Sequence, residues 1–119
     1  MLSLPSVVRV FLAVEPVDMR GSFDALAGVA RRLGLKPEDG HLYLFFNRRR
    51  VVMKLLFFDG AAWCIFARRL EQGSFQIPAV KPGAAQVTID AATLAMILEG
   101  IDMTRAPRRK RYQKKLSPE

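Results

Sequence analysis

Three apolar segments that follow one another at short intervals constrain the fold of this chain most strongly. Residues 41–46, 51–58 and 61–68 are rich in the aromatic and aliphatic side chains that are favoured in β-strands. A short polar loop separates the first two segments, and Asp59-Gly60, a frequent dipeptide of tight hairpin turns, separates the second from the third. These connections are too short for a crossover, so we expect a three-stranded antiparallel meander.

One strand and two helices are predicted on either side of the meander. The apolar run 7–14 predicts a buried strand. Apolar residues at helical spacing over 19–33 predict a helix, for which Asp18 is the expected N-cap. A second helix is expected between Asp90, another N-cap, and Gly100. The predicted fold class is therefore α+β.

The sheet has an unusual predicted surface, because alternate side chains of 51–58 are apolar on both faces. Two short helices are expected to cover only one face well. Segment 70–89 covers the second face, or a partner or second copy of the chain docks there. Prolines and glycines interrupt 70–89, which favours self-association, although 75–77 and 86–89 have strand composition.

Positive charge is concentrated at the C-terminal end of the chain. Residues 104–119 hold seven of the 19 basic residues, a single acidic residue and two prolines. Such a segment cannot bury enough apolar surface to pack. We therefore expect one α+β domain over residues 1–103 and a flexible basic tail over residues 104–119. This tail either binds nucleic acid by displacing counterions or keeps the protein in solution.

The rare residue types limit the reactions that the chain can catalyse and indicate its cellular compartment. Cys64, the only cysteine, has no partner for an internal disulfide, which is typical of a reducing compartment. No apolar run has the length of a membrane span and the first residues lack signal-peptide features, so we expect a cytoplasmic protein without membrane contact. His41 is the only histidine and Cys64 the only cysteine, which excludes Cys/His metal clusters. We expect no enzyme activity, cofactor or metal.

The candidate DNA-binding residues are two arginine clusters and the tail. Arginine runs are common phosphate-binding elements, and no helix-turn-helix or other sequence-reading motif is present, so we expect DNA binding with weak sequence preference. The candidates are Arg48, Arg49 and Arg50 in the first hairpin loop, Arg68 and Arg69 at the end of the third strand, and Arg105, Arg108, Arg109, Lys110, Arg111, Lys114 and Lys115 in the tail.

One stretch resembles a known family. Residues 15–26, EPVDMRGSFDAL, resemble the P-x-D-M-R-x-x-F-D-x-L opening of the TnpB-type accessory protein, the product of the second open reading frame of insertion sequences of the sixty-six family. The tail lies outside this resemblance, and Arg50 stands where the family usually has a glycine. The resemblance covers nearly all of residues 7–103 in order, including 40–43, 46–49, 54–56, 68–73 and 94–102.

The resemblance implies an accessory role in transposition beside a separate, larger transposase, with no catalytic residues to assign. Two roles compete. In the first, the chain binds DNA and helps to position the transposase at the element ends. In the second, it is a protein–protein scaffold that holds the transposase on its apolar sheet face, and its basic residues serve only solubility. A residual nuclease activity of unpaired carboxylates is a third hypothesis.

Overall fold

A computed structural model describes residues 8–100 of the chain. Their fold is α+β, as predicted, and within these residues no helix is long and apolar enough to cross a membrane. The boundary expected at residue 103 and the whole basic tail lie outside the described residues. The strands are β1 (Val10–Ala13), β2 (Leu42–Phe46), β3 (Val52–Phe58), β4 (Trp63–Arg69) and β5 (Gln86–Ile89), and the helices are α1 (Phe23–Arg32) and α2 (Ala91–Glu99).

The strands form one sheet in the order β4-β3-β2-β1-β5. β2, β3 and β4 pair antiparallel in sequence, so the predicted meander is confirmed. β1 is parallel to β2, because α1 forms the crossover between them, and β5 is antiparallel to β1. The expected strand at 86–89 is present, whereas 75–77 has no regular secondary structure. As a result β1, β2 and β4 end at the same side of the sheet, where β3 and β5 begin.

Each face of the sheet has its own covering element. On one face Leu26 and Ala30 of α1 form a buried cluster with Tyr43, Phe45 and Leu56. The amphipathic pattern of α1 explains this packing, since its arginines lie on the exposed side.

The opposite face is covered by α2 together with the segment before β5. Leu94 and Ile97 of α2 pack with Met53 and Leu55 of β3, and Phe75 is 1% exposed in the same cluster. The prediction that two short helices cover only one face was therefore wrong, because the two helices lie on opposite faces. On the face covered by α1, Leu56 is also fully buried by the chain itself. With both faces covered, self-association through the sheet has lost its physical basis, and it stays a prediction only.

The two predicted N-caps have different outcomes. Asp90 caps α2 as predicted: its Oδ1 accepts a hydrogen bond from the Thr93 N–H at 2.8 Å, and this bond lowers the pKa of the carboxyl. The prediction for Asp18 was wrong, because α1 begins later, with Ser22 at the N-cap and no side-chain cap bond. The Asp18 carboxylate accepts hydrogen bonds from Arg20 instead.

Candidate nucleic-acid interface

A cleft of about 810 Å³ lies at the side of the sheet where β1, β2 and β4 end. Three separate parts of the chain form it: residues 16–20 after β1, the turn between β2 and β3 with the start of β3, and residues 67–69 at the end of β4. We call it the arginine cleft, after the four arginines in its lining, Arg20, Arg48, Arg68 and Arg69.

The charge of the arginine cleft is strongly positive. Asp18 is the one carboxylate in its lining, so the arginines other than Arg68, whose side chain projects to the other face of the sheet, leave a surplus of two positive charges. Strand pairing places two of the arginines, since Arg69 pairs with Val52 and Arg68 with Met53. Because paired residues point to the same face, Arg69 shares the face of Val52 and Lys54, and Arg68 projects to the other side.

Asp18 and Arg20 form an exposed ion pair at one wall of the cleft. Arg20 donates from Nη2 to Asp18 Oδ2 at 2.7 Å and from its backbone N–H to Oδ1 at 2.9 Å. The hydrogen bonds from the Arg20 side chain lower the pKa of Asp18 to about 2, so the carboxylate stays charged at neutral pH. The Arg20 side chain remains 92% exposed and is still accessible to an anion.

Lys54 fastens this wall to the sheet. Its Nζ donates to the carbonyl oxygens of Met19 at 2.7 Å and Gly21 at 2.9 Å, so the charge of the lysine is bonded to backbone and not to a carboxylate. Gly21 permits the close approach of this loop to α1, because a Cβ atom there would meet the Cβ of Ala25 at 2.7 Å. The loop that carries Arg20 is therefore held by contacts distant in sequence.

The turn between β2 and β3 forms the second wall. The N–H groups of Val51 and Val52 donate to Asn47 Oδ1 at 3.0 and 3.1 Å, and the Arg50 N–H donates to the Asn47 carbonyl at 3.0 Å. Arg50 has a φ of 57°, in the left-handed region that favours glycine. This conformation explains why a glycine suits the position in the family that the chain resembles.

Backbone hydrogen bonds from the segment after β4 brace this turn from the side. The Phe75 N–H donates to the Arg50 carbonyl at 2.6 Å, and the Leu70 N–H donates to the Val51 carbonyl at 2.8 Å. Because the Phe75 side chain is buried in the core, the bond to Arg50 ties the tip of the turn to the core.

Three of the predicted DNA-binding residues, Arg48, Arg68 and Arg69, line the cleft together. Arg49 and Arg50 belong to the same turn but are not part of the lining. The predicted tail residues, from Arg105 to Lys115, lie outside the residues that the structure describes. Sequence reasoning missed Arg20, because it stands alone in the chain and only the loop after β1 brings it to the other arginines.

The chain is similar to known proteins over most of its length. A family model described as IS66 Orf2 like protein matches residues 8–108, so the match extends into the first five residues of the predicted tail. The uncharacterized protein y4hO of Sinorhizobium fredii is 40% identical over 96 residues, which cover 80% of this chain and 82% of that protein. The uncharacterized protein y4jC of the same organism is 29% identical over 103 residues, 86% of each chain. No solved structure matches significantly. With the arginine cleft wholly inside the matched residues, the chain belongs to the IS66 Orf2-like family of insertion-sequence proteins.

Proposed function

We propose that this chain is a non-catalytic accessory protein of transposition that binds DNA through the arginine cleft and the basic tail. The observation that carries the proposal is the convergence of Arg20, Arg48 and Arg69, from three separate parts of the chain, on one cleft with a single carboxylate. Guanidinium groups match phosphate oxygens in geometry and stay charged at any physiological pH. Such a site suits the DNA backbone, whose recognition needs little base sequence.

The distribution of charge along the sheet supports the same proposal. Asp39 precedes β2, while Asp59 and Asp90 follow β3 and β5, so these aspartates lie at the side of the sheet opposite to the arginine cleft. Arg9 and Lys36 lie on that opposite side too and offset part of its negative charge, so an approaching polyanion is attracted more strongly to the side of the arginine cleft. The protein therefore binds DNA in one preferred orientation and leaves the opposite side for the separate transposase.

The test is fluorescence anisotropy with labelled duplex from the element end, a scrambled competitor and a series of salt concentrations. We expect Arg48→Ala/Arg69→Ala to weaken binding about tenfold at low salt and to reduce the salt slope by about 2, since each phosphate contact contributes about 0.9. The matched control is Arg9→Ala/Lys36→Ala, which removes the same charge from the opposite side of the sheet. If both double variants lose the same amount of DNA affinity, binding depends on the overall charge of the protein and not on the cleft.

The tail is tested in the same assay by removing residues 104–119. We expect the deletion to weaken binding strongly and to leave the melting temperature nearly unchanged, because the tail composition does not suit packing. A deleted chain that binds as tightly as the full chain at low salt would contradict the role of the tail.

The edge of the sheet favours a second candidate function, docking of the separate transposase without direct DNA contact. β4 is an edge strand, and its Phe66 side chain is 42% exposed. Edge strands offer unpaired backbone groups to a strand of another protein. If docking is the function, Phe66→Glu abolishes capture by the purified transposase, whereas Arg48→Ala/Arg69→Ala leaves both capture and transposition unchanged.

A further inference from the structure

We infer that the arginine cleft takes an unpaired nucleotide of single-stranded DNA, with the phosphates on the arginines and the base on an apolar floor. This inference rests on the proposed function and adds the kind of DNA that the site prefers. We call the apolar residues of the lining the floor: Pro16, Val17, Met19, Val52 and Ala67.

The size of the cleft is sufficient for one nucleotide. Pockets of roughly 300–1,000 Å³ enclose most of a small organic ligand, and the arginine cleft has about 810 Å³. In a duplex the bases are stacked and paired, and a pocket reaches one only after it leaves the helix. An intact duplex therefore presents only its outer phosphates to the cleft and leaves the floor uncovered. A single strand presents a phosphate and a base to it together.

The chemistry of the lining also favours single-stranded DNA. An apolar floor contributes nothing to a phosphate, but it loses contact with water when the flat face of a base covers it. Guanidinium groups at the rim bind phosphates and also stack on bases. The cleft lining contains no aromatic side chain and Asn47 is its one uncharged amide, so it offers little discrimination among bases. We expect tolerance of base sequence.

The floor is formed before any ligand binds. Val52 belongs to β3 and Ala67 to β4, and these two strands are paired. The carbonyl of Met19 is held by Lys54. A preformed surface of this kind binds with a small ordering cost.

Electrostatic attraction alone predicts a preference for duplex over single-stranded DNA, which is the opposite of the preference inferred above. A duplex has a higher charge density than a single strand, and its salt slope per contact is about 0.9 against about 0.7. A purely cationic surface therefore binds duplex more tightly. A preference for single strands requires a contact to the bases.

The experiment compares three labelled ligands of equal length with the full chain: a single strand, its duplex, and an abasic oligomer with the same phosphates and no bases. We expect the single strand to bind about fivefold more tightly than the abasic oligomer, as removal of roughly 40 Å² of apolar surface from water would give, and more tightly than the duplex. Equal binding of the single strand and the abasic oligomer would overturn the inference.

A cleft-filling variant assigns the preference to the floor. Ala67 is exposed on the edge strand, so Ala67→Ile narrows the floor without changing charge, and the β-branched isoleucine suits a strand better than alanine does. We expect it to abolish the difference between single strand and abasic oligomer and to leave duplex binding unchanged. The matched control is Phe66→Ile, on the same strand but the other face. A preference that survives in Ala67→Ile, with an unchanged melting temperature, contradicts the proposed floor.

The outcomes separate this inference from the proposed function. If no DNA binds at low salt, the proposed function fails. If single strand, abasic oligomer and duplex all bind equally and all depend on Arg48 and Arg69, the proposed function stands and the base contact is refuted.

Discussion

The β2–β3 turn and the β3–β4 turn lie at opposite ends of the meander and close in the same way. In the first, Asn47 Oδ1 accepts hydrogen bonds from the N–H groups of Val51 and Val52. In the second, Asp59 Oδ1 accepts from the N–H groups of Ala61 and Ala62, at 2.9 and 2.8 Å. Each turn also has a residue with positive φ, Arg50 in one and Gly60 in the other.

The two turns differ in charge. The acceptor of the β2–β3 turn is a neutral amide among three arginines, and the acceptor of the β3–β4 turn is a carboxylate. Backbone closure requires only an oxygen at this position, which either side chain supplies. A carboxylate at position 47 would cancel part of the positive charge of the arginine cleft. The fold therefore requires an acceptor oxygen in each turn, whereas the proposed function requires that the acceptor at position 47 carry no negative charge.

The largest effect is expected from removal of the turn acceptor. Asn47→Ala leaves two backbone N–H groups without their partner in a partly buried turn, and we expect a loss of about 1–3 kcal/mol in the free energy of unfolding. Denaturant unfolding measures it. Asp59→Ala is the counterpart in the exposed turn and should cost less, because water replaces the carboxylate there. A larger loss for Asp59→Ala would show that the two turns are not equivalent in construction.

Exchange of the two acceptors tests charge without removing the hydrogen bonds. We expect Asn47→Asp to weaken DNA binding about three- to tenfold at low salt, since one added carboxylate offsets about one phosphate contact. Asp59→Asn, at the far end of the meander, should leave DNA affinity nearly unchanged. Anisotropy titrations measure both variants. Identical effects of the two exchanges would mean that only net charge matters.

Substitutions at the two residues with positive φ are expected to change the free energy of unfolding by smaller amounts and in opposite directions. Arg50→Gly relieves a left-handed side-chain residue and should raise the free energy of unfolding by about 0.5–1 kcal/mol. Gly60→Ala in the other turn, where φ is 97°, should lower it by a similar amount. Thermal unfolding measures both variants. A destabilised Arg50→Gly would show that the Arg50 side chain makes a compensating contact.

The smallest effect is a difference in pH response. Hydrogen bonds from the Ala61 and Ala62 N–H groups lower the pKa of Asp59 below its ordinary value of 3.8. A carboxyl whose pKa is lowered by folding stabilises the turn above pH 3.8 and loses this contribution as the pH falls through the lowered value. We therefore expect the amide signals of Ala61 and Ala62 to shift in acid by NMR. Those of Val51 and Val52, bonded to a neutral amide, should not shift, and Asp59→Asn should abolish the response.

Local patterns predicted the parts of the fold that depend on neighbouring residues. The meander follows from alternation and turn residues, and the Asp90 cap follows from a hydrogen bond spanning three residues. Asp18 shows the limit of such patterns, because an aspartate before a helix can cap it or bond to a nearby arginine. Here Lys54 holds the following loop through contacts distant in sequence, which no local pattern contains.

The topology of the sheet decides which helix covers which face and which residues meet in the cleft. This explains why the sequence-based prediction placed both helices on one face and missed Arg20. The apolar pattern of β3 indicates two buried faces, but it does not say which helix covers which face. The crossover from β1 to β2 places α1 on one face and leaves the other to α2. The same crossover brings Arg20 to the arginines of the β2–β3 turn and β4. Runs of arginine identified Arg48, Arg68 and Arg69, and an isolated arginine gave no comparable signal.

The two backbone bonds that brace the β2–β3 turn have a consequence for molecular recognition. With the tip of the turn tied to the Phe75 backbone, the Cα positions of its arginines are set by the core. Only rotation about side-chain bonds is left to be restricted when an anion arrives. If the arginine cleft binds DNA as proposed, such a turn distinguishes polyanions by the distance between their charges as well as by how many charges they carry.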